Sequence, residues 1–484
     1  MDTYQLNFTG LLGLCAVLFV AQRRKPTQPK QGAKPAEVKK DSKPEQKING
    51  NEASQWPFLV VFALVMGSDW LQARFPSPDR LQATGTHKTN PSTQGPFLYS
   101  LYREEHGVST GMVSTLFTTG FLSGAVSAYA TGTLADRHGR RLACLVFCAA
   151  YALSCALTMV PSLPFLFAGR VLGGVGTSLL FSVFESWMVT DFHARGLGKK
   201  GGDLSRTFGV MSTLNSVVAI VSGVFSEWVV AVSGTRKAPF AAAVVLLAVA
   251  GWVISTRWAE NYGDSAKEKP KAGGGKEENV APRPKLREML KDPRIVCLGL
   301  SSTMFEGSMY LFVFMWGPAL QSAHAYESAS AAAGATGLPY GIIFASFMAS
   351  VLAASLLFNI AMDNKLLKYT YLLGGILALA DLVFYLLEQP RSEQLTFWLF
   401  CLFEACVGMY WPCMGYLKGQ LIDDGVRAQL YGILRVPLNV FVVVSLYFTG
   451  DGDSYAKVFA VCSRLLLLSI GALYAMVMNE DELP

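Results

Sequence analysis

Gly132-Thr-Leu-Ala-Asp136-Arg137-His-Gly139-Arg140-Arg141 is the stretch that decides how this chain is read. Apolar runs of membrane-spanning length flank it on both sides. Asp136 closes one helix, Gly139 allows a tight turn, and arginines 137, 140 and 141 stand before the next apolar run. Such cations gather at the cytoplasmic face of a membrane, which sets the loop inside the cell. Asp136 is placed to pair with an arginine across the loop, in a contact able to break and re-form as two helix bundles rock. The plainer reading is a basic loop that only fixes topology.

Working outward, 51% of the 484 residues are hydrophobic, 16% are charged and the mean hydropathy is +0.34. That is too apolar for one soluble globule of this length. Spans are predicted at about 56–75, 109–133, 142–160, 164–190, 207–231, 238–256, 295–320, 339–361, 369–387, 395–417, 428–449 and 456–478, twelve in all. A thirteenth apolar segment runs from Leu6 to Val20. No positive charge precedes it, while Arg23, Arg24 and Lys25 follow. This polarity suits an anchor with its N-terminus outside better than a cleaved signal.

The divisions that follow are an anchor over 1–21, a linker over 22–55, six spans over 56–256, a central loop over 257–294, six spans over 295–478 and a tail over 479–484. Residues 22–47 carry nine Lys/Arg against three Asp/Glu and several prolines, the composition of a disordered cytoplasmic segment. Counting spans puts this linker, the central loop, the Asp136–Arg141 loop and the Arg195–Arg206 loop on one side. The net charge of +6 is thereby accounted for by cytoplasmic loops, without nucleic-acid binding. All nine cysteines lie in or beside predicted spans with no CxxC or zinc spacing, and read as buried apolar residues. No phosphate-binding G-x4-GK[ST] loop, catalytic triad or metal cluster stands out, so neither a primary pump, an enzyme nor a cofactor is expected. Asn7-Phe-Thr9 is a glycosylation sequon lying against the membrane.

The Gly132–Arg141 loop resembles the signature loop between the second and third helices of the major facilitator superfamily. Arg170-x3-Gly174 with Gly176 resembles the superfamily's fourth-helix motif, discussed in proton-coupled members. The resemblance implies an all-α polytopic membrane protein: a twelve-helix major facilitator fold of two six-helix bundles, here with one extra N-terminal segment. An internal repeat agrees. Phe117–Asp136 can be laid on Phe344–Asp363, Phe208-Gly209 with Leu214-Asn215 on Tyr431-Gly432 with Leu438-Asn439, and Arg170-x3-Gly174 on Glu404-x3-Gly408. Transporters of this type bind substrate near the bilayer midplane, between their halves. The glycines at 169, 173, 174, 176, 120 and 124 serve either tight packing or sliding of helices, roles that do not exclude one another.

Ionisable residues inside a membrane cost several kcal/mol, which makes each a functional candidate. Asp69 lies in the first span, Glu185 in the fourth, Glu306 in the seventh, Glu404 in the tenth and Arg435 in the eleventh. The first, fourth, seventh and tenth helices line the cavity in the superfamily this chain resembles, and one carboxylate falls on each. A guanidinium in a low-dielectric cavity suits an oxyanion, since it stays charged and donates in a fork. Arg435, followed by the helix-distorting Pro437, is the principal substrate candidate; the alternative is a structural ion pair with Glu306 or Glu404. Asn439, Asn215, Trp187 and Trp70 complete the candidate substrate contacts. Trp70, Trp187, Trp316 and Trp411 fall in or beside cavity-lining helices and serve either as walls or as an interfacial belt. Arg170 reads as a packing or gating residue, and Lys418 as a snorkelling one. Four ionised carboxylates would repel a dianion, so either some carry protons that accompany the anion, or some are tied to polar partners and inert.

Six segments narrow the resemblance to the molybdate-anion transporter branch: Asp69-Trp70-Leu71-Gln72, Gly169–Gly174, Leu180–Trp187, Phe305-Glu306, Gly341–Met348 and Arg435–Leu438. They lie in both halves. The resemblance implies uptake of molybdate across the plasma membrane, with protons as a candidate second substrate. The charges alone support only an anion or a proton-coupled solute. A carrier of sugars or organic cations, and a receptor or scaffold keeping the fold without transport, are the competing readings.

Overall fold

The computed structural model describes residues 3–23, 56–72, 98, 101–200, 203–263, 286–328, 338–364, 366–389, 391–448 and 455–474. The stretches Pro76–Gly95 and Lys267–Glu278, most of the 22–55 linker and the 479–484 tail lie outside the described residues. Among the described residues there is no strand. Thirteen long helices carry the fold: α1 (Thr3–Arg23), α2 (Trp56–Trp70), α3 (Thr110–His138), α4 (Arg140–Thr158), α5 (Leu163–Ala194), α6 (Leu204–Ser233), α7 (Ala238–Arg257), α8 (Pro293–Ser328), α9 (Tyr340–Asp363), α10 (Tyr369–Leu387), α11 (Glu393–Leu421), α12 (Arg427–Phe448) and α13 (Tyr455–Leu473).

Eleven of these are long and apolar enough to cross a membrane. The other two differ in kind. α2 is apolar but only 15 residues long, about 22 Å of helix against a hydrocarbon core of about 30 Å. α3 has 29 residues, but serine, threonine and glycine dilute it. Of these small residues, Gly120, Gly124 and Gly132 let α3 pack closely against α5 and α12.

Helices α2–α7 and α8–α13 form two halves, each with its own apolar core. The repeat read from sequence reappears as packing. A Cβ on Gly174 of α5 would meet the α3 backbone at Gly124, and one on Gly408 of α11 would meet the α9 backbone at Val351. Laying Phe117 on Phe344 makes Gly124 and Val351 equivalent. The halves meet along two seams, α3 with α12 and α6 with α9. Gly432 of α12 faces the Ala128 carbonyl of α3, while Gly209 of α6 faces the Asn359 side chain of α9.

The extra helix α1 packs along α9. Its Tyr4 hydroxyl donates to Glu393, the first residue of α11, and His324 Nδ1 at the far end of α8 reaches the same carboxylate at 2.6 Å. Asn7 Nδ2 donates to Gln394 Oε1 at 3.0 Å, so the sequon's amide is engaged in helix docking. Tyr4 therefore lies at the end of the molecule opposite the Asp136–Arg141 loop.

Candidate functional site

Two polar constellations lie along the boundary between the halves. The deeper one is centred on Glu306 of α8, which is 1% exposed. Its Oε1 accepts from Ser302 one turn earlier and from the Tyr410 hydroxyl of α11 at 3.0 Å, and stands 4.0 Å from Lys418 Nζ. Its Oε2 accepts from Arg435 Nη1 of α12 at 3.4 Å. Lys418 donates to Ser302 Oγ at 3.0 Å and thus turns inward, where the sequence suggested a snorkelling side chain. One carboxylate is matched to two cations.

Arg435 also spans the halves. Its guanidinium carbon sits 3.9 Å from the ring centroid of Phe181 on α5, a cation–π contact with the opposite bundle. Phe181 stacks in turn on Trp411 of α11, at 6.2 Å between centroids. Tyr310 of α8 lies within electrostatic reach of the guanidinium, and its ring meets Phe121 of α3 at 5.8 Å. One face of the guanidinium is therefore covered, one edge touches Glu306 through a long bond, and Nε is buried with no partner. Pro437 lacks the N–H that would bond the Ile433 carbonyl, loosening α12 beside this residue.

The remaining sequence candidates divide. Glu185, one turn beyond Phe181, faces the Tyr431 hydroxyl across the boundary, with Lys418 and Arg427 its nearest cations and Oε1 unpartnered. Asn439 is buried against Gly124 on the α3–α12 seam. Asp69 accepts from the Tyr151 hydroxyl within the N-terminal half. Asn215 accepts from Trp70 Nε1 at 2.9 Å, and Trp70 meets Phe344 of α9 at 6.3 Å. Trp187 is elsewhere: it stacks on Trp258 at 3.9 Å and donates to the Ala259 carbonyl, near the basic loop. Glu404 is buried in α11 and makes no hydrogen bond or ion pair among the described residues. Gly176 lies against the Tyr151 ring. Sequence reasoning misses Phe181, Ser302 and Tyr410: the first two lie four residues before Glu185 and Glu306, the one available signal, and Tyr410, on another helix, carries none.

The second constellation is the Gly132–Arg141 loop. Arg140, wholly buried, donates through Nε and Nη2 to Asp136 Oδ1 at 2.9 and 2.7 Å. It also reaches Thr190 Oγ1 on α5 and the Asp424 carbonyl just before α12. Asp136 Oδ2 accepts from Gln429 N at 2.9 Å. That amide belongs to the first turn of α12, so a carboxylate of one half caps a helix of the other, where the helix dipole favours negative charge. Gly132 packs against the Ala428 backbone beside it. Asp424 ties the halves a second time, accepting from His193 of α5 at 3.0 Å and from Arg427 Nη2 at 2.6 Å.

Gly139 adopts φ 115°, a conformation that favours glycine, and presses against Glu260. Glu260 accepts from Arg141 N at 2.7 Å and Leu142 N at 3.2 Å, capping α4. The Arg141 side chain donates to the Ile254 and Ser255 carbonyls at the end of α7, whereas Arg137 is exposed. Beyond Glu260, Asn261 O accepts from Arg140 N and Gly263 N donates to Asp136 O, so the start of the central loop is stitched into the same cluster.

Two pseudo-symmetric helical bundles with buried charges between them and a polar closure at one end define a polytopic membrane carrier of the two-bundle, rocking type. A family of sugar transporters with twelve transmembrane segments matches residues 88–396. The molybdate-anion transporter of Xenopus tropicalis is 30% identical over 467 residues, covering 91% of each chain. That of Danio rerio is 28% identical over 528 residues, covering 99% of this chain and 97% of the relative. The chain belongs to the molybdate-anion transporter family of the major facilitator superfamily. Among solved structures, the human organic anion transporter MFSD10 superposes with a TM-score of 0.59 at 14% identity, covering 88% of this chain and all of that one, a likeness of fold.

Proposed function

We propose that the protein is a secondary carrier that takes up molybdate, or a similar tetrahedral oxyanion, across the plasma membrane by alternating access. The observation that carries this reading is Arg435, which reaches between the halves with one long carboxylate contact, to Glu306 at 3.4 Å, and a buried Nε that no acceptor meets among the described residues. The relatives named for molybdate support the choice of anion.

In this reading Glu306 stands in for the anion while the site is empty. Its contact with Arg435 is long, so an arriving oxyanion exchanges with it at modest cost and meets the guanidinium edge in a forked arrangement. Phe181 holds the guanidinium in place from the opposite half, so both bundles sense occupancy. Protons on Glu306 and Glu185 together would leave Arg435 and Lys418 facing a dianion, an electrically balanced load. Proton coupling through Glu306, with Glu185 one turn from Phe181 as relay, is thus part of the proposal. The Asp136–Gln429 and Arg140–Asp424 links close the cytoplasmic face and have to break for release. Tyr4 then lies at the outer face, with the N-terminus outside.

The engagement of Glu306 by two cations weighs against an organic-cation carrier. The test is radiolabelled molybdate uptake at two external pH values in cells lacking their own carrier. Saturable uptake, faster at acid pH and lost in Arg435→Ala, is expected. No uptake by surface-localised wild type would sink the reading.

A further inference from the structure

Among the described residues a second guanidinium, that of Arg170, has no counter-ion. Arg170 of α5 is half-buried; among the described residues no carboxylate reaches ion-pair distance, and its buried Nε has no acceptor. Asp69 in the same half is bonded to Tyr151. An unpaired charge at this depth is costly. What surrounds the guanidinium is arranged to accept that charge without cancelling it. Its carbon lies 5.4 Å from the Phe117 ring centroid, and Nη2 would stand 2.6 Å from a Cβ on Gly120, so glycine makes the room.

Two further buried polar atoms in this region also lack partners. Tyr102 is 0% exposed; its hydroxyl lies within reach of Arg170 and Thr158 but makes no hydrogen bond of good geometry to either. His106, its ring 6.4 Å from that of Tyr102, donates through Nε2 to the Thr158 carbonyl at 3.0 Å, which leaves Nδ1 buried and unpartnered. Since Nε2 carries the hydrogen, Nδ1 of the neutral ring is an acceptor, suited to a bridging water. The irregular turn Leu101–Glu105 brings Tyr102 into place. Orphaned buried groups of this kind are rare in folded proteins.

We propose that Arg170 and Tyr102 form a second oxyanion site, separate from the Arg435 centre and inside the outer end of the N-terminal half. Arg170 is about 10 Å along α5 from its start at Leu163. At this depth one donor set, a guanidinium fork plus a hydroxyl, meets either a free tetrahedral oxyanion arriving from outside or the phosphate of an outer-leaflet phospholipid. The choice of molybdate as probe rests on the proposed function; the site itself does not.

The test uses the purified full-length chain, with Tyr102→Phe, Arg170→Gln and Arg435→Ala beside the wild type. Molybdate binding is followed by calorimetry, and co-purified phospholipid by mass spectrometry. Tyr102→Phe removes one oxygen atom only, so it guards against misfolding in Arg170→Gln. If the occupant is the free anion, wild type binds molybdate at two sites. Tyr102→Phe then weakens one about tenfold and Arg170→Gln abolishes the same one, while Arg435→Ala removes the other. If the occupant is lipid, phospholipid is retained by wild type and lost in both N-terminal variants. Molybdate and lipid both unchanged in Tyr102→Phe and Arg170→Gln would overturn the site. Wild type that binds no molybdate but loses lipid in these variants would overturn the proposed function and leave this site standing.

Discussion

Asp136 and Asp363 occupy matching places in the two halves, at the ends of α3 and α9, and their surroundings are opposite. Asp136 is 1% exposed, bonded to Arg140 and capping α12 of the other half. Asp363 is exposed and has no bonded partner among the described residues. The seams differ in the same sense. The α3–α12 seam ends in a buried ionic cluster, while the α6–α9 seam is joined by neutral contacts such as Thr213 Oγ1 with Ser355 Oγ at 3.0 Å. A duplicated backbone has therefore been given closure chemistry on one seam only. In the proposed transport cycle the latch is broken there while the other seam serves as the sliding surface.

The largest effect that follows is at this pair of aspartates. Asp136→Asn strands the buried Arg140 charge, a loss on the order of 3–5 kcal/mol for a buried pair. Transport should fall more than tenfold, and cysteines placed at the cytoplasmic end of α12 should become reactive; Asp363→Asn should stay within twofold of wild type. Equal loss in both variants would remove the asymmetry. Next in size are the seam glycines. Gly432→Ala drives a methyl into the Ala128 backbone, at a cost of about 1–3 kcal/mol. Gly209→Ala meets only the Asn359 side chain, which can turn away, so its melting temperature should drop less.

A smaller effect separates the halves at the central site. Extending the repeat from Glu404 on Arg170 sets Lys418 opposite the apolar Phe184. Lys418→Met should raise the KM for molybdate about tenfold while uptake persists, because Arg435 remains. An unchanged KM would confine Lys418 to a structural role.

The smallest effect concerns pH. Burial alone would raise the Asp424 carboxyl, but the hydrogen bond from His193 and the charges of Arg427 and His193 outweigh it and hold the group below the usual carboxylate range. A depressed folded value means that its stabilisation is complete above the unfolded value and lost as pH falls through the folded one. The difference in melting temperature between wild type and Asp424→Asn should therefore not shrink as pH falls from 8 to about 5, and should shrink only below that. A difference that shrank between pH 7 and 5 would contradict the Asp424 link.

The sequence carried most of the fold because spans announce themselves by length and hydropathy, and the Gly132–Arg141 loop by its register of glycine and charge. α3 was legible through its flanking motif, although its composition falls short of the spans around it. The site was legible in part. Glu306 and Arg435 stood out as charges in apolar runs, but that they touch is a fact about α8 and α12 together, which spacing along one helix does not contain. Lys418 was misread for the same reason, since an inward turn and a snorkel begin from the same helix end. Trp187 shared its span with Phe181 and Glu185, yet the stack with Trp258, 71 residues along, draws it to the Asp136–Arg141 end.

The most direct measurement is exchange of radiolabelled molybdate into proteoliposomes preloaded with unlabelled molybdate, comparing wild type, Asp136→Asn and Arg435→Ala at matched protein content. Wild type should show saturable exchange, Asp136→Asn slowed exchange and Arg435→Ala none. Exchange in Arg435→Ala at the wild-type rate, or its absence in folded wild type, would contradict an oxyanion carrier centred on Arg435.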